Sequence, residues 1–338
     1  MAVTLDEAKN NAQEDLDTTV IDEFRKGSVI LDTLIFDDAV NPSGGGATLE
    51  YAYRRLVSQP TAAFRAYNTE YTPQNVTTQK YSTELVPLGG AFEVDRVLAR
   101  VGAAASGAVS LNMAQKIKAA QTRFQDAVIN GDTAGGGADD AQGFDGLDKA
   151  LVGSSTEYQV GAVTDWTDLD TDTRAAHKAL DALDEFFDLL DGTPTIVLGN
   201  TKAIAKFRAI VRRSGQYVKD PVEDLIGQNG RPIMRESYGG TTFANPGERA
   251  GSTTAIIPIE GRTIGGIAET GLTDLYAYRV GIDGFHGVTT TDGQLVRTWL
   301  PDFSSAGAVK KGEVELGPVS VALKATKAAA VWRNIKVQ

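Results

Sequence analysis

Three groups of residues in this chain are of types that do chemistry, and each would ask for a different reaction. The stretch NGDTAGGGADDAQGFDGL (130–147) is acidic and rich in glycine, as calcium and phosphate loops are. Counted as a calcium loop from Asp132, it places Ala134 and Gly136 where oxygen ligands are needed. As a phosphate loop it lacks G-x-x-x-x-G-K-[ST], and its glycines follow a helical pattern where they should precede one. What is left is a helix stop and a connector. The second group is small: His177 and His286 are the only histidines, and neither sits in H-E-x-x-H. No G-x-S-x-G elbow occurs, and Glu84 with Glu93 has the residue types of an acid–base pair without a geometry. The third group is charge. Asp181, Asp184, Glu185, Asp188 and Asp191 line one edge of a helical pattern, suited to a divalent cation, a basic partner or solvent. Lys202, Lys206, Arg208, Arg212, Arg213 and Lys219 form the main basic cluster, suited to phosphate, a neighbouring subunit or solvent. These residues define no active site, so no metal, cofactor or catalytic residue is expected.

The elements that must position them are legible in the apolar pattern. Val109, Met113, Ile117, Ala120, Phe124 and Val128 recur at helical spacing and predict a long helix from about 103 to 130, stopped by Asn130-Gly131. A second helix is predicted over Asp172–Leu190, then a buried strand at TPTIVLG, a cap at Asn200-Thr201, and a short helix over KAIAKFRAIVRR. TTAIIPI, LYAYRVGI, QLVRTWL, EVELGPVSVAL and AAAVWRNIKV read as five further strands. Helices first and strands later give an α+β class.

Upstream of the long helix the chain is less self-sufficient. Residues 2–26 look partly helical but polar all round, as an arm that packs on a partner does. After NPSGGGAT (41–48), TLEYAYRRLV reads as a strand through Leu49, Tyr51, Tyr53 and Leu56, and QKYSTELVPL as a second extended stretch. Between them AAFRAYNTEYTPQN carries aromatics among Arg65, Asn68, Glu70 and Gln74. A lone two-stranded hairpin is marginal in water, so these aromatics are expected to rest on another subunit.

Composition narrows the class. At 338 residues the chain is long enough for about two domains and a sizeable core. A net charge of −11 argues against a surface that grips nucleic acid, and the lack of cysteine removes disulfides and thiolate chemistry. The first 26 residues hold seven acidic and three basic side chains, unlike a secretory signal, and no apolar run is of bilayer length. Assembly in a cytoplasm is the expectation.

The order of these pieces resembles that of the major capsid proteins of tailed bacteriophages, the Hong Kong 97 fold shared with encapsulin shells. The resemblance is carried by TLEYAYRRLVSQPTAAFRAYNTEYTP with PLGGAFEVDRVLA, FQDAVINGD before GFDGL, TIVLGNTKAIAKFRAI, and YRVGIDGFHGV. It implies an N-terminal arm over 1–40, an E-loop with its flanking strands over 41–90, and a peripheral domain over 91–191 containing the spine helix. It further implies an axial domain over 192–285 and strands over 286–338 that return to the peripheral domain. The glycine-rich loop becomes the connector between the spine helix and the rest of the peripheral domain.

By the same resemblance the protein is no enzyme but a subunit that self-assembles, as pentamers and hexamers, into an icosahedral shell around double-stranded DNA. Its expected place is the virion capsid, assembled in the host bacterial cytoplasm. The implied partners are further copies of itself, a separate scaffolding protein, a portal and, as an option, a decoration protein, with no membrane. Tyr51, Tyr53, Arg54, Arg55, Phe64, Arg65, Tyr67, Glu70 and Tyr71 are the expected E-loop contacts between subunits, and Lys206, Arg208, Arg212 and Arg213 those of the axial domain. No lysine lies between Lys26 and Lys80, so the covalent lysine–asparagine link of some members is not expected. An encapsulin-type compartment is the runner-up, and a hydrolase or nucleotide-binding enzyme is the competing class, against which the loop, histidine and nucleophile tests all count.

Overall fold

The computed structural model describes residues 29–40, 49–97, 102–135, 140–169, 172, 174–215, 218–226, 232–290 and 295–338. Residues 1–28 of the arm expected over 1–40, the NPSGGGAT stretch and Gly136-Gly137 lie outside the described residues. The chain runs α1 (Val29–Thr33), β1 (Phe36–Val40), β2 (Glu50–Ser58), β3 (Thr77–Glu84), β4 (Val86–Asp95), α2 (Gly102–Asn130) and α3 (Leu147–Leu151). It continues through β5 (Glu157–Tyr158), β6 (Thr164–Asp165), α4 (Ala175–Phe187), β7 (Ile196–Gly199), α5 (Thr201–Arg213), β8 (Val218–Ile226), β9 (Pro232–Tyr238) and β10 (Thr241–Ala244). It ends with β11 (Glu260–Ile264), β12 (Ile267–Tyr278), β13 (Phe285–Thr290), β14 (Val296–Trp299), β15 (Val309–Leu323) and β16 (Ala329–Lys336).

Two sheets organise the molecule. One is five-stranded, ordered β1-β13-β15-β14 with β4 also on β15; the other is nine-stranded, ordered β5-β16-β12-β7-β10-β9-β8 with β6 on β16 and β11 on β12. The 15-residue β15 survives Pro318 because the ladder shifts register between Leu316 and Val319, where one of its neighbours changes from β14 to β13. The hairpin β2–β3 forms a third sheet of its own.

The long helix follows the predicted stripe, with a gradient. Val109, Met113 and Ile117 are half-buried, whereas Ala120 is buried and Phe124 and Val128 are buried among Ile30, Phe144, Leu147, Phe285 and Val319. A second core lies over the nine-stranded sheet, where Trp166 meets Trp332 edge-on at 5.5 Å and Phe207 stacks on Phe243 at 3.9 Å. Between the cores Arg333 joins Asp148, Glu157 (3.0 Å) and Asp274 (3.2 Å), and Arg262 joins the same Asp274 at 2.6 Å, so the buried carboxylates are paired.

Several expectations are corrected. TTAIIPI forms no strand: Ile256 and Ile257 are buried, but Ala255 makes only an isolated bridge to Glu248. LYAYRVGI is the end of a strand that starts at Ile267 and stops at Tyr278. The second helix spans 13 residues, Ala175–Phe187, shorter than the expected Asp172–Leu190, and packs on the nine-stranded sheet. The last strand, β16, pairs β12, and burial on both faces suits that interior place. Leu56 points away from the stripe of Tyr51 and Tyr53 and is 57% exposed.

Candidate assembly site at the β2–β3 hairpin

Alternation along β2 puts Tyr51, Tyr53 and Arg55 on one face, opposite Thr83, Tyr81 and Gln79 of β3. That face leans on the body through side chains. Tyr51 donates to Asp37 of β1 at 2.8 Å, Tyr53 donates to the Leu323 carbonyl at 2.9 Å, and the Thr83 and Ser320 hydroxyls share a bond of 2.6 Å. Arg55 donates through Nε to the Lys324 carbonyl at 2.9 Å and through Nη2 to Leu323, with its guanidinium 4.3 Å from the Tyr81 ring centroid. Beneath them Val40, Tyr51, Leu85, Val288 and Ala322 make a small private core. Burial, then the Asp37 carboxylate, raise the Tyr51 hydroxyl well above the usual phenol range, so it remains a proton donor. Tyr51, Tyr53 and Arg55 thus bond within their own chain; Arg54, on the opposite face, is exposed.

The tip is the reverse case. Phe64, Tyr67 and Tyr71 are 108%, 97% and 63% exposed, and Arg65 and Glu70 are exposed beside them. The tip is shaped by polar bonds, not by a core. Thr61 donates through its amide (2.8 Å) and hydroxyl (3.0 Å) to the Gln74 side chain, Asn68 turns the chain at φ 64°, and Arg65 reaches the Thr69 carbonyl at 3.2 Å. The frame thus holds three large aromatics out in water. At the root a cleft of about 660 Å³ opens between Tyr53, Arg55 and Tyr81 and the connector residues Phe144, Asp145 and Lys149.

The other candidate residues separate. The connector closes on itself: Lys149 reaches Asp132 at 2.7 Å and Asp145 at 2.9 Å, and the Gly146 amide donates to the Gly131 carbonyl at 2.8 Å. The Lys149 ammonium, then the amides of Gly135 and Ala134, hold the Asp132 carboxyl down at about 2. Among the described residues no group of three or more His, Asp and Glu could hold a metal. Glu84 pairs with Glu50 in the hairpin and Glu93 with Lys311 in the five-stranded sheet, so they form no acid–base pair. The acidic edge of α4 is partly read by its own chain, since Tyr158 donates to Glu185 (2.7 Å), Tyr238 to Asp184 (3.3 Å), and Arg279 to Asp191 (3.0 Å). Burial, then Asp184, push the Tyr238 hydroxyl up to about 12. On α5, capped by Asn200 as predicted, Lys206 is half-buried and donates to the Thr167 carbonyl at 3.5 Å, while Arg208, Arg212 and Arg213 are exposed.

His177 is exposed on α4, but His286 lies fully buried against the hairpin root. Its Nε2 is 3.4 Å from the Tyr51 hydroxyl and 3.9 Å from Asp37. Sequence reasoning passed over this cluster, with Asp37, Tyr81 and Lys324, because nothing local marks residues so distant in the chain as neighbours.

Neither a family model nor a curated protein sequence matches the chain. Solved structures do, over their full length. The SrpI encapsulin of Synechococcus elongatus PCC 7942 aligns with a TM-score of 0.61 at 15% identity, covering 100% of this chain and 98% of that one. The capsid of Myoviridae phage XM1 aligns at 0.57 and 13% identity over 98% and 99%, and the capsid of a native GTA particle at 0.57 and 12% over 97% and 96%. The chain therefore has the Hong Kong 97-type fold of phage capsid and encapsulin shell proteins, from its first strand to its last.

Proposed function

We propose that this chain is the major capsid protein of a tailed bacteriophage, assembling as pentamers and hexamers into an icosahedral shell around double-stranded DNA. The observation that carries the reading is the hairpin: Phe64, Tyr67 and Tyr71 stand together in solvent at its tip, with no described residue of the chain to cover them. A second copy supplies the missing surface, and Arg54, Arg65 and Glu70 flank the aromatics as the polar rim of that contact. Lys206, Arg208, Arg212 and Arg213 form a second contact around the capsomer centre. The net charge of −11 suits a wall that encloses a polyanion without gripping it. A separate scaffolding protein and a portal complete the assembly, with no catalytic step by this chain.

The likeness to the SrpI encapsulin favours one other reading, a protein compartment shell. Contents separate the two: nuclease-protected genomic DNA inside purified particles supports the capsid, and a protein cargo without DNA supports the compartment. For assembly itself, the test is replacement of residues 59–76 by a two-residue turn. The chain should fold and stay soluble but form no closed shells, and normal shells from this variant would contradict the role given to the tip.

A further inference from the structure

We propose that His286 makes the hairpin joint acid-sensitive: a positive charge on its buried ring disfavours the closed joint and frees the β2–β3 hairpin to swing away from β13 and β15, which returns the ring to water. The joint is built to come apart as a unit. Among the described residues β2 and β3 pair only with each other, and their own base is closed by the Leu85 amide donating to the Leu49 carbonyl at 2.8 Å. The root is held by Tyr51, Tyr53, Arg55 and Thr83 through side-chain bonds and by the small core under Leu85. A hinge of this kind can open without costing either sheet a backbone bond.

His286 sits where that opening would begin. It is 0% exposed, and its ring meets the Tyr51 ring edge-on with centroids 5.8 Å apart. Tyr51 gives its own proton to Asp37, so a neutral His286 can donate from Nε2 to the Tyr51 oxygen, and this leaves Nδ1 buried without a hydrogen-bond partner. The proton taken up in acid arrives at that nitrogen. The titratable and charged groups around it come from β1, β2 and the segment after β15. Asp37 (β1) lies 3.9 Å from Nε2, Lys324 beyond β15 holds its ammonium 5.3 Å from the Tyr51 ring centroid, and Tyr51 (β2) stands between them.

The balance of these groups sets the direction. Burial first, then Lys324, hold the His286 pKa below the ordinary histidine value, outweighing Asp37 and the backbone at Gly284 and Gly281. A histidine so lowered favours the closed joint above its open-state pKa of about 6.5 and loses that contribution as the pH falls towards the closed-state value. The joint is therefore closed at neutral pH and opens on the acid side. The inference concerns the joint alone and stands whether or not the tip meets a second copy.

The absence of cysteine makes the test clean. Spin labels on Thr78→Cys in the hairpin and Ala205→Cys on α5, both exposed positions, report the distance between hairpin and body in full-length chain diluted with unlabelled protein. At pH 7.5 one distance is expected; towards pH 5 a second, longer one should grow in with a midpoint below about 6.5. His286→Gln should abolish the transition. Lys324→Gln, which removes the repelling charge and keeps the histidine, should move the midpoint up by about half a unit or more. A single distance across the whole range, or a transition that persists in His286→Gln, overturns the proposal. Should His286→Gln fail to fold, an unmoved midpoint in Lys324→Gln overturns it as well.

Discussion

Arg55 is the strongest single tie between hairpin and body, and its removal has a calculable effect. Arg55→Ala deletes the bonds to the Lys324 and Leu323 carbonyls and the guanidinium stacked on Tyr81. The Leu323 carbonyl keeps Tyr53 as donor at 2.9 Å, so only the Lys324 oxygen loses a partner outright. A charge-assisted bond in a half-exposed place plus the ring contact is worth about 2 kcal/mol. That corresponds to roughly a 30-fold increase in the open fraction of the joint. Val288 lies fully buried in the small core beneath the root, so Val288→Cys places the chain's sole thiol where only opening exposes it. Thiol modification at 288 should accelerate about 30-fold in the Arg55→Ala background, and by an intermediate factor with Arg55→Lys, which keeps the charge without the fork. A control thiol at Val197, buried in the other core, should change by less than about two-fold, because the tie is local. An unchanged rate at 288, or equal acceleration at both positions, would refute the view of Arg55 as a clamp on a separable hairpin.

Three further outcomes follow from the same geometry. Phe64, Tyr67 and Tyr71 changed together to Ser should leave the unfolding free energy from urea titration within about 0.5 kcal/mol of the parent while preventing shell formation; a large loss of stability would mean the tip packs on its own chain. A Cβ on Gly131 would fall inside contact distance of the Phe144 and Ala127 carbonyl oxygens, both backbone atoms, so Gly131→Ala should cost about 2–3 kcal/mol, and a loss under about 0.5 would dismiss the close approach. Asp132, lowered to about 2, keeps the connector tied above the ordinary carboxylate range and releases it as the pH falls towards 2; Lys149→Met should raise its carboxyl titration in NMR, and an unmoved value would contradict the pairing.

Local signals made the helices legible. The stripe ending in Phe124 and Val128 and the stop at Asn130-Gly131 lie within one element, so periodicity alone placed α2, and the Asn200 cap placed α5. The strands were harder. The apolar run around Ile256 and Ile257 marks burial, but burial is not a ladder, and among the described residues no partner strand reaches it. β8 and β9 went unpredicted because Pro221, Asp220 and Glu223 in one and Arg235 and Glu236 in the other break any alternation. At the candidate site the tip aromatics could be read as unpartnered from sequence, since a two-stranded hairpin has no second layer to bury them. The root could not: Tyr51, Asp37, His286 and Lys324 meet through β1 pairing with β13 and β13 with β15, which no local pattern encodes.

The most direct test of the account is sedimentation velocity of the purified full-length chain, with electron microscopy of the fastest fraction, alone and with co-expressed neighbouring genes. The account predicts closed shells, or the pentamer and hexamer rings that build them. A homogeneous monomer or dimer under every condition would contradict it.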